Sequence, residues 1–252
     1  MKDTLVRLAR LFIVLLGVAG TFWGMATFPI FWYQLPIERT AAAILDYGSF
    51  KSFSFDALLP AVHQIEQSIY CRPEALRSAA VIRLRLAEDA MASGQRDAID
   101  ARFSALEGSI LRTLDCSPSD SFFWMVLAWL DDAREGPRRE QLTYLRVSYR
   151  LGPHEGWVAA RRNRVALSMF RRLPPDLAQA AMHEFANMVA SWASWDAIAI
   201  FTGPGWPIHE RLLASLNHVG QLQRDAFAKI LYAQGYNVVV PGVRAPEPRP
   251  WN

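Results

Sequence analysis

Lysine is almost absent from this chain: only three of the 27 basic residues are lysines, and the rest are arginines. Cysteine is equally scarce, with two residues in 252, and the five histidines form no metal-binding pattern. His183 and His209 each precede a glutamate, but both lack the second histidine of a His-Glu-x-x-His zinc motif. The usual zinc sites are therefore excluded, and we expect neither a metal nor a cofactor.

Long hydrophobic runs are absent with one exception, the 23 uncharged residues from Leu11 to Tyr33. A helix of this length spans roughly 34 Å, against about 30 Å for the hydrocarbon core of a bilayer. Basic residues outnumber acidic ones in segment 1–10, which predicts a cytoplasmic N-terminus and places the remaining chain across the membrane. A cleaved signal peptide is the alternative, but its apolar region is only about 7–15 residues long. We predict a retained transmembrane anchor at 11–33.

Gly20 and Gly24 form a Gly-x-x-x-Gly pattern inside this anchor. Such a pattern lets two transmembrane helices approach closely, and it predicts packing against a partner span. Glycine is also frequent in transmembrane helices generally, so a chance occurrence remains the alternative.

Helical periodicity dominates the chain after the anchor, and each break carries glycine or proline. Residues 34–55 are predicted to be a connector with a short helix near 40–47. Residues 56–235 are predicted to be an all-α domain, and 236–252 an extended, proline-rich tail. Strand signal is confined to "YNVVVP" at the start of that tail.

Pro118 and Pro153 lie 35 residues apart, and each is followed by an acidic residue and then by a tryptophan, Trp124 or Trp157. The segment between the prolines resembles the tetratricopeptide family, whose 34-residue repeat is a helix–turn–helix. Leu127 also falls at the family's spacing, whereas Trp157 comes two residues early. The resemblance implies stacked helical hairpins in a right-handed superhelix, with these five residues at the packing contacts.

The junction "DCSPSDSFFW" has a simple local explanation. Pro118 stops one helix, because the residue before a proline disfavours the α region. Asp120 or Ser121 can begin the next helix by accepting a hydrogen bond from its free backbone N–H groups.

The positions of the two cysteines fit an antiparallel pair of helices. Cys71 starts the helix that runs to position 93, and Cys116 ends the helix that runs back. The two positions meet in such a pair, and disulfides persist outside the cytoplasm. We predict a Cys71–Cys116 bridge, and two buried thiols are the alternative.

The single anchor, the "SPSDSFFW" junction and the stretch "LGPHEGW" together resemble accessory proteins of envelope polysaccharide assembly in Gram-negative bacteria. That resemblance implies a bacterial inner-membrane protein with a periplasmic domain. It implies a scaffold that assists assembly, polymerisation or export of a polysaccharide by binding an integral membrane protein. A nucleic-acid partner is not expected in that compartment.

Arginine is concentrated between Arg134 and Arg172, where ten arginines face three glutamates, and no lysine or aspartate is present. Arginine binds carboxylate and phosphate through two parallel hydrogen bonds. We predict a surface for an anionic glycan or lipid, with a solvated helix face as the alternative. Several of these arginines share one side of a helix predicted over 157–173. The predicted binding residues are Arg146, Arg150, Arg161, Arg164, Arg171 and Arg172.

Catalytic motifs are missing: neither a Gly-x-Ser-x-Gly elbow nor a P-loop is present. Asp131 and Asp132 are adjacent, so on a helix they point about 100° apart and do not converge. We therefore expect no enzymatic activity. A helical envelope enzyme, such as a lytic transglycosylase, is the least favoured alternative, with Glu184 and Glu210 as its candidate acids.

Overall fold

A computed structural model describes residues 2–46, 55–94, 96–135 and 139–244. The described residues form α-helices and short 3-10 turns, and none of them lies in a strand. The all-α prediction is confirmed, and the strand signal of "YNVVVP" corresponds to chain without regular structure. Positions 47–54 of the predicted connector and 245–252 of the predicted tail lie outside the described residues.

The chain divides into two compact units, Met1–Pro118 and Ser119–Asn252. The first unit contains α1 (Lys2–Leu45), α2 (Leu59–Gln67), α3 (Pro73–Ser93) and α4 (Arg96–Cys116). The second contains α5 (Ser121–Glu135), α6 (Arg139–Leu151), α7 (Gly156–Ser168), α8 (Pro175–Ala190), α9 (Ser194–Thr202), α10 (His209–Ser215) and α11 (Gln221–Ala233). Within the described ranges, four 3-10 turns connect or extend these helices: Phe55–Leu58, Phe170–Arg172, Trp206–Ile208 and Leu216–His218.

Helix α1 is longer than the predicted anchor and enters the core of the first unit. Its segment Val6–Phe28 is apolar and long enough to cross a membrane, and none of its side chains is buried. Ile37 and Ala41, by contrast, are buried between α1 and its neighbours α2 and α3. Residues 34–45 of the predicted connector therefore form the C-terminal part of α1, where an apolar stripe packs on the domain.

Helices α3 and α4 form an antiparallel hairpin in the first unit. Gly94 ends α3 in the left-handed conformation, with φ of 71°, and its N–H bonds the carbonyl oxygens of the preceding turn. At the opposite end, Thr113 Oγ1 donates to the Leu76 carbonyl oxygen at 3.3 Å. Cys71 and Cys116 are bridged at this same end, with their Cα atoms 5.5 Å apart. The predicted disulfide is confirmed.

Helices α5 and α6 form a corresponding hairpin in the second unit. Asp120 caps α5, since its Oδ1 accepts the N–H groups of Phe122 and Phe123 at 3.1 and 3.4 Å. Ser148 Oγ, near the end of α6, donates to the Ser121 carbonyl oxygen at the start of α5, at 2.7 Å. This bond has the same form as the Thr113 bond of the first hairpin, and its donor lies 35 residues further along the chain.

Helix α7 is shorter than the helix predicted over 157–173. It ends at Ser168, and a 3-10 turn follows at Phe170–Arg172. The reason is that Met169 and Phe170 turn inward and become buried in the core of the second unit. Arg171 and Arg172 therefore lie off the face of α7 on which they were predicted.

Candidate functional site

Arg162 is the largest fully buried side chain among the described residues, at 0% exposure. It projects from α7 on the face that also carries the buried Ala159 and Ala166, which lie three and four residues away. The sequence prediction did not single it out, because arginine is almost never fully buried unless it is paired. Its position on an apolar helix face was the available signal.

The Arg162 guanidinium makes five hydrogen bonds that use its five N–H donors. Nε and Nη2 both donate to Oε1 of Glu184 on α8, and the Nε bond is 3.0 Å long. Nη1 donates to the carbonyl oxygen and hydroxyl of Ser148 at 2.8 and 3.2 Å. Nη2 also donates to the Gly152 carbonyl oxygen at 3.0 Å. One side chain thus ties the end of α6 and the following turn to α8.

Two further side chains complete this buried centre. The Arg162 guanidinium carbon lies 4.3 Å from the centre of the Tyr149 ring, a cation–π contact. Asn163 Nδ2 donates to the Ala181 carbonyl oxygen at 2.7 Å, which adds a second link between α7 and α8. The arrangement holds one positive and one negative charge, so the centre is close to neutral.

Burial dominates the electrostatics of this centre. It raises the pKa of the Glu184 carboxyl, and the hydrogen bonds from Arg162 oppose that effect. It also raises the pKa of the Tyr149 hydroxyl well above its usual value, and the nearby Glu184 carboxylate raises it further. Tyr149 therefore stays protonated across the physiological range.

A cavity of about 650 Å³ adjoins the centre in the second unit. Tyr149, Arg162 and Glu184 contribute to its lining. Further polar groups on its wall come from the α6–α7 turn and from α8 and its C-terminal end: His154, His183, Asn187 and Ser191. The volume is within the range of small-molecule sites. The described residues contain no group of three or more His, Cys, Asp or Glu side chains placed to hold a metal ion.

Trp192, which follows the cavity residue Ser191, has strained backbone geometry. Its φ is 66°, a left-handed conformation that glycine normally occupies at a helix C-terminus. The Ala193 N–H bonds the Met188 carbonyl oxygen at 3.1 Å, as expected for this type of helix end. The Trp192 side chain is 57% exposed, so burial of the indole does not explain the strain.

Three of the predicted arginines already have partners. Arg146 pairs with Asp176 at 2.9 Å and holds the pKa of that carboxyl below its usual value. Arg172 pairs with Asp132 at 2.8 Å. The guanidinium carbon of Arg161 lies 5.6 Å from a ring centre of its α7 neighbour Trp157.

The other three predicted arginines, Arg150, Arg164 and Arg171, are exposed and make no ion pair with any described residue. Arg171 and Arg172 also line a second cavity of about 640 Å³, together with apolar residues of the same turn and of 204–208. The predicted set is therefore split into three arginines with a partner and three available cations. The available ones are the better candidates for contact with an anion.

The residues predicted to support repeat packing lie at helix contacts or in turns. Leu127 is buried, and the Trp124 ring packs on Tyr144 of α6 with their centres 5.8 Å apart. The Trp157 ring lies 5.1 Å from Phe122 of α5 and remains 40% exposed. Pro118 and Pro153 occupy the turns before α5 and α7, as their role as helix stops requires.

In the candidate span, Gly20 and Gly24 lie on an open helix surface. A Cβ atom added to either glycine would have no described atom within 4 Å apart from its chain neighbours and the nearby backbone of α1 itself. The two candidate acids have different surroundings. Glu184 is held by Arg162, whereas Glu210 is exposed in the first turn of α10. Glu184 is the one acidic residue among the described residues that line the cavity, and Glu210 does not contribute to that lining.

Comparisons with models of protein families, with curated proteins and with solved structures find no match to this chain. Its class is therefore defined by its own features. It is an all-α protein with one N-terminal apolar helix, a disulfide-linked helical hairpin and a buried ion pair beside a cavity.

Proposed function

We propose that this chain is a membrane-anchored scaffold of tetratricopeptide-like hairpins. It assists assembly, polymerisation or export of an envelope or extracellular polysaccharide by binding a membrane enzyme. The polysaccharide part of the proposal rests on the resemblance of its anchor and junction motifs to accessory proteins of that kind. The repeated hydroxyl-to-carbonyl bonds of Thr113 and Ser148 support the repeat character of the hairpins.

The continuity of α1 is the observation that carries the scaffold proposal. The same helix exposes Val6–Phe28 and then buries Ile37 and Ala41 in the core of the first unit. A helix that continues from the membrane into the core of the first unit holds that unit close to the membrane surface. The unit can contact a membrane enzyme there. The exposed face at Gly20 and Gly24 offers a place for a transmembrane helix of that partner.

Co-purification of the full-length protein in mild detergent tests this proposal. We expect one integral membrane protein to be recovered in stoichiometric amount with the wild type. The double variant Gly20→Leu, Gly24→Leu should lose it, because leucine prevents close helix approach. The matched control is Val18→Leu, Phe22→Leu, which changes the opposite face of the helix at the same spacing. Absence of a partner in the wild type contradicts the scaffold proposal.

The proposed location is the bacterial inner membrane, with both units in the periplasm. The disulfide supports this location, because disulfides persist in oxidising compartments. A reporter enzyme that is active only in the periplasm, fused after Asn252, should be active. A mature N-terminus beyond Ala26 would instead identify α1 as a cleaved signal sequence.

The second candidate function is a binding module for an anionic glycan or lipid. The observation that favours it is the set of exposed, unpaired cations Arg150, Arg164 and Arg171, the last of which lines an apolar cavity. An apolar cavity beside a guanidinium suits an amphipathic anion, because arginine binds phosphate and carboxylate strongly.

Reversal of those three arginines to glutamate tests this function. We expect weaker retention on acidic polysaccharide and on anionic liposomes, and a smaller dependence of retention on salt. The matched control reverses three other exposed cations, Arg96, Lys229 and Arg244, and so produces the same change in net charge. Equal losses for the two triple variants indicate a non-specific charge effect and contradict a dedicated site.

A further inference from the structure

The loop 68–72, which joins α2 to α3, presents two large apolar side chains to the outside of the first unit. Ile69 is 86% exposed and Tyr70 is 66% exposed. Ile69 is the most exposed large hydrophobic residue of the described chain, ahead of every side chain in the apolar anchor segment. Adjacent apolar residues with such exposure indicate a contact surface.

The loop lies beside the point where the apolar part of α1 ends. Arg72 Nη1 donates to Gln34 Oε1 at 3.0 Å. Gln34 directly follows the uncharged run 11–33, so it lies about 1.5 Å along the helix axis beyond the last residue of that run and about 9 Å beyond Phe28, where the candidate span ends. The interfacial layer on each side of a bilayer is about 5–8 Å thick. The loop is therefore at the height of that layer.

Among the described contacts of α1 with the rest of the first unit, this one lies close to the candidate span. The other buried contacts of α1 with the domain, at Ile37 and Ala41, lie further from the candidate span. Two links fix the loop in place. Cys71 is bridged to Cys116 at the end of α4, and Arg112 Nη2 donates to the Ser68 carbonyl oxygen.

We propose that Ile69 and Tyr70 insert into the interfacial layer of the bilayer that holds α1. This inference rests on the proposed anchor. Tyrosine is enriched at that level of the membrane, because its ring is apolar and its hydroxyl is polar. The contact anchors the first unit to the membrane at a second point and restricts how far it tilts about α1.

Charge does not drive this contact. In the sequence beside the two bridged cysteines, the basic residues Arg72 and Arg112 are accompanied by the acidic residues Glu74 and Asp115, so no charge of one sign is concentrated there. The insertion therefore depends on apolar burial and should occur on uncharged as well as anionic lipid.

Photo-crosslinking in the full-length protein tests the inference. The photoreactive residue p-benzoylphenylalanine replaces Tyr70, an exposed position that tolerates the substitution, in protein reconstituted into phosphatidylcholine nanodiscs. Two matched sites serve as controls. Phe22 lies within the candidate span, and Met91 is an exposed residue near the far end of α3, about 28 Å along that helix from Arg72. Mass spectrometry then measures the yield of lipid adducts.

We expect lipid adducts at positions 22 and 70 in comparable yield and a several-fold lower yield at 91. Adducts at 22 without adducts at 70 overturn this inference and leave the anchor intact. Equal yields at 70 and 91 overturn it as well, and so does a protein–protein adduct at 70 in place of lipid. Absence of adducts at 22 refutes the anchor itself and, with it, the insertion of the loop.

Discussion

Arg162 and Glu184 form an ion pair in the interior of the second unit, with the guanidinium fully buried and the glutamate 8% exposed. Removing two charges from water is unfavourable, and their attraction offsets it only when the remaining donors and acceptors are also bonded. Arg162 meets this condition through Ser148 and Gly152. The pair therefore fixes the relative positions of α6, α7 and α8 next to the cavity.

The first prediction concerns the loss of this pair. Arg162→Met should reduce the free energy of unfolding by about 3–5 kcal/mol, because it leaves Glu184 buried without a counter-ion. The double variant Arg162→Met, Glu184→Leu should regain most of that loss. Thermal unfolding followed by far-ultraviolet circular dichroism measures both. Arg146→Met, which removes an exposed partner of Asp176, is the control and should have a much smaller effect.

The second prediction concerns Tyr149. Its folded-state pKa is raised well above the ordinary value of 10.0, so the stability it contributes is present below about pH 10 and is lost as the pH rises towards the folded-state pKa. Tyr149→Phe should remove this dependence and keep the ring contact with Arg162. Unfolding at about pH 8 and about pH 11 should show a larger decrease for the wild type than for the variant. Equal decreases would show that Tyr149 ionises normally in the folded protein.

Local features were predictable from the sequence, and features that depend on distant packing were not. The Asp120 cap and the Cys71–Cys116 bridge follow from a helix start and an antiparallel pair. The extension of α1 was missed because residues 34–45 contain Pro36 and charged residues, and only their contacts with α2 and α3 show that they belong to the core. The buried role of Arg162 was missed for the same reason, since its partners are 10 to 22 residues away.

The third prediction concerns the turn after α6. A Cβ atom on Gly152 would lie 2.6 Å from Cβ of the buried Ser121, closer than packed atoms can approach. Gly152→Ala should therefore destabilise the protein by about 1–3 kcal/mol. Ser121→Gly should restore part of that loss by opening space. Gly156→Ala, at the open first position of α7, is the matched control, and a similar loss there would contradict the steric explanation.

The fourth prediction uses the strain at Trp192. Trp192→Gly should raise the free energy of unfolding by about 1 kcal/mol, because glycine adopts a positive φ without steric conflict. Trp195→Gly, which removes a tryptophan of 73% exposure from the first turn of α9, should instead lower it, because glycine weakens helices. A loss of stability in both variants would mean that the indole of Trp192 makes a stabilising contact that outweighs its backbone strain.

The last prediction concerns the disulfide of the first unit. The Cys71–Cys116 bridge spans a sequence separation of 45 residues, and the chain-entropy model assigns about 4 kcal/mol to a loop of that size. The double variant Cys71→Ser, Cys116→Ser should lower the unfolding midpoint and speed hydrogen exchange in α3 and α4. Dithiothreitol should have the same effect on the wild type and none on the variant. Because the bridge also fixes the 68–72 loop to the end of α4, lipid adducts at position 70 should decrease in the variant while those at position 22 persist. Unchanged hydrogen exchange after reduction would show that Thr113 and the apolar contacts hold the hairpin closed without the bridge.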